Sequence, residues 1–135
     1  MPSHVIQKAK LRLLVPPFAG FCFYGAWAFY VNMDHGYFMG IKAAITQGGY
    51  SFAVTLLLSV LVERLFVRFQ SVSLGDYWVG FIAIALLALV SWAVNALAGT
   101  PEILWTILPG LTVSAIYTSV YIITLRKLAH KAVDV

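Results

Sequence analysis

Polar side chains recur at every fourth position along one otherwise apolar stretch of the chain. They are Gln47, Ser51, Thr55, Ser59 and Glu63. Residues four apart lie on one side of a helix, so these groups form a polar stripe along it. Amide and hydroxyl groups in this arrangement either line a hydrated groove or bond to neighbouring helices and hold them together. Both interpretations stay open on the sequence alone.

Arginines directly follow this stripe, and another arginine follows the last apolar run of the chain. Arg64 and Arg68 are four residues apart, and Arg126 follows the later run. Two guanidinium groups on one helix face repel each other unless an anion lies between them, and a lipid phosphate is such an anion. Glu63 also needs a partner, for which we expect Arg126 or Lys127. The sequence therefore predicts an anion site at Arg64, Arg68 and Arg126.

Membrane-spanning helices are the elements that must position these groups. The 135 residues are 61% hydrophobic and 10% charged, against about 25% charged in an average soluble domain. Four uncharged runs are each long enough to cross a bilayer, which takes about 20 apolar residues. We therefore predict an all-α membrane protein with one domain over residues 1–135. Its four transmembrane helices are expected at residues 17–33, 43–66, 77–98 and 103–125.

The distribution of basic residues predicts how the spans are oriented. Of the nine Lys and Arg residues, only Lys42 falls between the first and second spans, and the others fall at the opposite ends. The positive-inside rule then places both termini and the middle loop in the cytoplasm. Membrane lipids with anionic head groups, rather than nucleic acid, are the expected partners of these basic groups.

Helix boundaries follow from prolines, glycines and capping residues. Residues 3–14 mix apolar and basic side chains, which predicts a short N-terminal helix on the membrane surface, ended by Pro16 and Pro17. The second helix is expected to run from near Tyr37 to Phe69, roughly 50 Å at 1.5 Å per residue. It must therefore tilt, kink near Gly48 or protrude. We expect Asp76 to cap the third helix.

Similar spacings in the two halves favour an internal repeat. Asn32 and Asn95 each follow a Trp-Ala segment, and Gly48 precedes Arg64 by the same number of residues as Gly110 precedes Arg126. The repeat would relate two helix pairs by an axis along the membrane normal. A chance match between apolar segments is the alternative. The fourth span also carries small or hydroxylated residues at every fourth position: Thr106, Gly110, Ser114 and Thr118.

The sequence contains no recognisable catalytic or metal motif. Asp34 and His35 are adjacent, as acid and base groups often are, but no nucleophile motif or second histidine accompanies them, so we expect a capping role. Glycine-rich phosphate loops, HExxH, CxxC and G-x-S-x-G motifs are absent, and Cys22 is the only cysteine. We expect no catalytic residue, no metal and no cofactor.

Short basic motifs stand at the ends of the spans: LRLLV at 11–15, ERLFVRF at 63–69 and TLRKL at 124–128. They resemble those of the GtrA-like family of small membrane proteins. The resemblance implies a multi-pass protein of the bacterial inner membrane. It also implies that the protein moves polyprenyl-phosphate-linked sugars or assists the glycosyltransferases that do.

Two functions from different classes remain. In the first, a non-enzymatic membrane protein handles a lipid-linked anion such as a polyprenyl-phosphate sugar. The residues expected to bind it are Arg64, Arg68, Arg126, Gln47, Ser51, Thr55, Glu63 and Asn95. In the second, an accessory or assembly subunit binds a larger membrane complex through small-residue faces on spans three and four. A homo-oligomer fits either function, and a membrane enzyme using Asp34 and His35 is a distant third.

Overall fold

The computed structural model describes residues 3–133, and side chains from Leu13 onwards. Its elements are four helices, α1 (Ser3–Asn32), α2 (Tyr37–Phe69), α3 (Gly75–Leu97) and α4 (Ile103–Val133), and a 3-10 turn at Met33–His35. Every regular element in this range is helical, so the all-α prediction is confirmed.

Three segments are long and apolar enough to cross a membrane, as expected of a membrane protein. They are Leu13–His35, Gly75–Leu97 and Ile103–Val133. Among the described helices, α2 does not belong to this group. The crossing of α2, the orientation of the termini and the internal repeat remain predictions.

The bounds of α2 agree with those expected from the sequence, but the predicted caps do not form. Gly36 precedes α2 with φ at 116°, a backbone conformation that glycine adopts without strain. Leu74 precedes α3 with φ at 58°. Neither helix start receives a side-chain hydrogen bond at its N-cap, so Asp34 and Asp76 do not act as caps.

The separate N-terminal helix expected at residues 3–14 is wrong. α1 runs without a break from Ser3 to Asn32, with Pro16 and Pro17 inside it. Membrane helices tolerate proline because neighbouring helices and small local adjustments satisfy the backbone groups that proline leaves free. Pro17 is in fact fully buried. The side chains before Leu13, including the basic ones expected at the membrane surface, lie outside the described residues.

α2 and α4 each pack against all the other helices, whereas α1 and α3 do not touch each other anywhere in residues 3–133. The apolar core lies between α2, α3 and α4, and its buried members include Val62, Val79 and Ile122. We call the end with the connections at 33–36 and 98–102 the upper end, and the end with the connection at 70–74 the lower end.

Glycine allows α1 and α2 to approach closely. A Cβ atom on Gly48 would lie 3.0 Å from the Phe21 carbonyl oxygen, and one on Gly25 would lie 3.1 Å from the Ala44 carbonyl oxygen. α2 continues unbroken through Gly48 and Gly49. Gly48 therefore serves helix packing, and α2 remains one helix at the position where a kink was one of three alternatives.

Candidate ligand cavity

The polar sides of α2 and α4 meet at a partly open cavity of about 540 Å³. α2 contributes Gln47, Ser51, Thr55 and Ser59, which are the uncharged members of the polar stripe. Gly110, Ser114 and Tyr117 of α4 face them, and the wall is completed from α1 and α3 by residues that include Leu13, Pro17, Tyr24 and Ser91. Gln47 and Ser51 are buried, whereas Thr55 and Glu63 are exposed, so the stripe packs against other helices at its upper end and is open further down.

Three members of the polar stripe differ in their surroundings. Ser51 is buried. The hydroxyl of Thr55 donates to the Ser51 carbonyl at 2.7 Å and lies 3.3 Å from where a Cβ atom on Gly20 would stand. Ser59 shares a hydrogen bond of 2.6 Å with the Tyr117 hydroxyl. These groups are thus placed between α1 and α4.

A buried amide network supports the upper end of the cavity. The side-chain nitrogen of Asn95 donates to the Gln47 side-chain oxygen at 2.8 Å and to the Ser91 carbonyl at 3.0 Å. The Asn95 oxygen accepts from the Thr100 hydroxyl at 3.0 Å. Asn95 is not among the residues lining the cavity. The structure places this predicted binding residue behind Gln47.

A second asparagine links α1 to the start of α4. The Asn32 side-chain oxygen accepts from the backbone N–H of Glu102 at 2.9 Å, and its nitrogen donates to the Thr106 hydroxyl at 2.8 Å. The Trp27 indole donates to the Trp105 carbonyl at 2.8 Å. Asn32, at the end of α1, thus satisfies a backbone donor at the start of a helix distant in the chain.

His35 of the adjacent Asp34 and His35 pair contacts the connection that precedes α4. Its Nε2 lies 3.0 Å from Oε1 of Glu102, and both side chains are almost half exposed. The structure therefore explains His35 as a contact between the two upper connections. Groups of three or more metal-binding side chains are absent from the described residues.

Two tyrosines join α4 to α2 at the lower end of the cavity. The Tyr121 hydroxyl donates a short hydrogen bond to the Glu63 carboxylate. Tyr117 stacks on Tyr121 with ring centroids 5.6 Å apart and contacts Ser59. Sequence reasoning missed both tyrosines, although their four-residue spacing matches that of Ser59 and Glu63 on the facing helix.

The expected pairing of Glu63 with Arg126 or Lys127 is wrong. Nη2 of Arg126 lies 2.6 Å from Oδ1 of Asp76 in the first turn of α3, while Glu63 accepts from Tyr121. The Tyr121 hydroxyl, five residues before Arg126 on α4, contacts the Glu63 carboxylate instead. Arg126 is thus held toward α3.

Arg64 and Arg68 are exposed at the lower end of α2. Neither guanidinium has a carboxylate within 4.0 Å among residues 13–133. Of the three arginines predicted to hold an anion, two are therefore free of acidic partners and one is already paired. An anion is attracted more strongly to the two that are free.

The cavity wall is neutral over the residues whose side chains are described, and its mouth is apolar. All lining residues from Leu13 onwards are uncharged, so this part of the wall offers hydrogen bonds and apolar contact. Leu13 and Val113 line it and are 66% and 51% exposed, as expected where a cavity opens toward acyl chains.

No family model, curated protein or solved structure matches this chain.

Proposed function

We propose that all four helices cross the bilayer, with both termini in the cytoplasm. α2 is joined to α1 and to α3 by short connections at its two ends and packs against both. Connections of this length join antiparallel neighbours in helix bundles. If α1 and α3 cross, α2 crosses between them. The lower end, with Arg64 and Arg68, then faces the cytoplasm, where basic residues are favoured.

We further propose that the protein binds a lipid-linked anion, such as a polyprenyl-phosphate sugar, and assists its movement across the bacterial inner membrane. The observation that carries this proposal is the convergence of polar side chains from α2 and α4 on one cavity, whose described wall is neutral. A neutral head group fits inside such a wall. The lipid chain remains at the apolar mouth beside Leu13 and Val113.

The phosphate of such a ligand has a separate place to bind. Arg64 follows Ser59 by about 7.5 Å along the helix axis and about 140° around it, and it does not line the cavity. The phosphate is therefore proposed to lie below the cavity, at the lower rim of the bundle, where the long Arg64 side chain can reach it while the head group contacts the stripe. Arginine suits this role because its planar group binds phosphate oxygens in pairs.

The structure gives less support to a role as an accessory subunit. That role depends on the small-residue faces of α3 and α4. On α3, Ser91 and Asn95 are buried, and a Cβ atom on Gly80 would lie 3.6 Å from Ile122 of α4. On α4, Thr106 and Thr118 are buried. These faces pack inside the bundle and leave little of that surface for another protein.

We expect Arg64→Ala to weaken binding of a polyprenyl phosphate to the purified protein about tenfold, because one hydrogen-bonded charge contact is lost. Native mass spectrometry of protein released from detergent or nanodiscs measures the change. Arg126→Ala is the matched control. Its guanidinium is already paired with Asp76, so we expect a change of about twofold or less. Equal binding by Arg64→Ala and wild type would contradict the proposed phosphate site.

A further inference from the structure

The orientation of the Asn95 amide follows from its partners. A backbone carbonyl only accepts hydrogen bonds, so the Asn95 atom that contacts the Ser91 carbonyl is the nitrogen. Its second N–H then donates to the Gln47 oxygen. The Thr100 hydroxyl donates to the remaining Asn95 oxygen. All three bonds are consistent with this one orientation of the amide. In the flipped orientation the Asn95 oxygen would face the Ser91 carbonyl oxygen, and two acceptors cannot form a hydrogen bond.

This network also determines which way the Gln47 amide points. Its oxygen is occupied by Asn95, so its NH₂ group, with two donors, is left on the cavity side. That nitrogen lies 3.7 Å from where a Cβ atom on Gly110 would stand, and Gln47 lines the cavity while being only 1% exposed. The Gln47 nitrogen makes no hydrogen bond within the described residues.

A second donor on the same wall is also unsatisfied. The Ser91 hydroxyl is buried and has no hydrogen-bond partner among residues 13–133, and Ser91 lines the cavity. The Tyr50 hydroxyl donates to the Leu87 carbonyl at 2.9 Å, so its oxygen is an acceptor close to the Ser91 hydroxyl, but the contact lies outside hydrogen-bond geometry. Leaving a buried donor unpaired costs about 1–3 kcal/mol. The cavity therefore favours an occupant that brings hydrogen-bond acceptors to Gln47 and Ser91.

We propose that Gln47 acts as a donor-only specificity residue, and that Asn95 and Thr100 are positioning residues that hold its amide in that orientation. The inference rests on the proposed function, whose ligand it describes further. The group recognised at the upper end of the cavity is uncharged and rich in acceptors, as a hexose is. A phosphate is disfavoured there, because no cationic side chain among residues 13–133 lines the wall and burying an unpaired charge is costly.

The test compares two probes that differ only in the neutral group: a polyprenyl methyl phosphate and the same phosphodiester with a hexose in place of the methyl group, so that both carry one negative charge, unlike a phosphate monoester. In the wild type we expect the hexose to tighten binding about tenfold, as hydrogen bonds to the two N–H donors of the Gln47 amide would. In Gln47→Leu we expect the two probes to bind within about twofold of each other. Native mass spectrometry measures both dissociation constants.

Thr100 supplies a variant pair that separates positioning from packing. Thr100→Val removes the hydroxyl that orients Asn95 and is expected to lower the hexose advantage about threefold. Thr100→Ser keeps the hydroxyl and is expected to keep the advantage. A general loss of stability would weaken both probes alike and leave their ratio unchanged.

The outcomes distinguish this inference from the proposed function. If the wild type binds both probes equally tightly, the lipid-anion function stands and the donor-only role of Gln47 is wrong, with water as the remaining partner of the amide. A hexose advantage that survives in Gln47→Leu also overturns the inference. If neither probe binds, the proposed function fails, and this inference fails with it.

Discussion

Replacement of Gly110 by leucine is expected to abolish measurable binding of a polyprenyl-phosphate hexose. Gly110 lines the cavity, and a Cβ atom there would lie 3.7 Å from the Gln47 amide nitrogen and 3.9 Å from the Tyr24 ring. These are ordinary contact distances, so the helix tolerates a side chain at this position. The rest of the leucine would then occupy the space in front of Gln47. Native mass spectrometry with the hexose probe measures the loss.

Gly49→Leu is the matched control for that experiment. A Cβ atom on Gly49 meets nothing within 4 Å among the described residues, and Gly49 does not line the cavity. Both variants replace glycine by leucine within a helix, so both gain about 1 kcal/mol of helix propensity. We expect Gly49→Leu to bind as the wild type does. Binding by Gly110→Leu within twofold of the wild type would show that the ligand does not use the cavity.

A large loss of stability is expected from Gly48→Leu. A Cβ atom on Gly48 would lie 3.0 Å from the Phe21 carbonyl oxygen and 3.1 Å from the Phe21 ring. The carbonyl belongs to the backbone of α1, so the two helices must separate to admit any side chain. Overpacking of this kind costs about 1–3 kcal/mol and sometimes more. We expect the free energy of unfolding in mixed micelles to fall by about 3 kcal/mol.

The neighbouring Gly49→Leu again provides the comparison. Its side chain projects away from α1 into open space, so its free energy of unfolding should be unchanged or slightly higher. Unfolding by a denaturing detergent, followed by far-ultraviolet circular dichroism, measures both variants. If the two leucine variants are equally stable, α1 and α2 do not pack through Gly48 as described.

Local periodicity explains what could be predicted from the sequence. The bounds of α2 and the inward face of Gln47, Ser51 and Ser59 follow from helix geometry and from the poor solubility of hydroxyl and amide groups in lipid. These features depend on residues close together in the chain. The prediction of a polar lining therefore needed no knowledge of which helix faces α2.

Partners distant in the chain explain what could not be predicted. Asn32 satisfies a backbone donor at the start of α4, and Glu63 accepts from Tyr121 rather than from Arg126. Each of these contacts depends on how the packed helices are rotated and how deep each residue lies, and apolar composition does not encode either. Pro16 and Pro17 were expected to end a helix because their effect in an isolated chain is known, whereas packing keeps α1 continuous.

The account depends most on a ligand head group lying between α2 and α4. A polyprenyl-phosphate hexose carrying a photoreactive group on the sugar tests this directly, after crosslinking in membranes, digestion and mass spectrometry. We predict adducts within residues 47–59 of α2 and 107–117 of α4, lost when unlabelled lipid is added in excess. Adducts spread over the lipid-facing sides of the helices, and unaffected by competitor, would contradict the account.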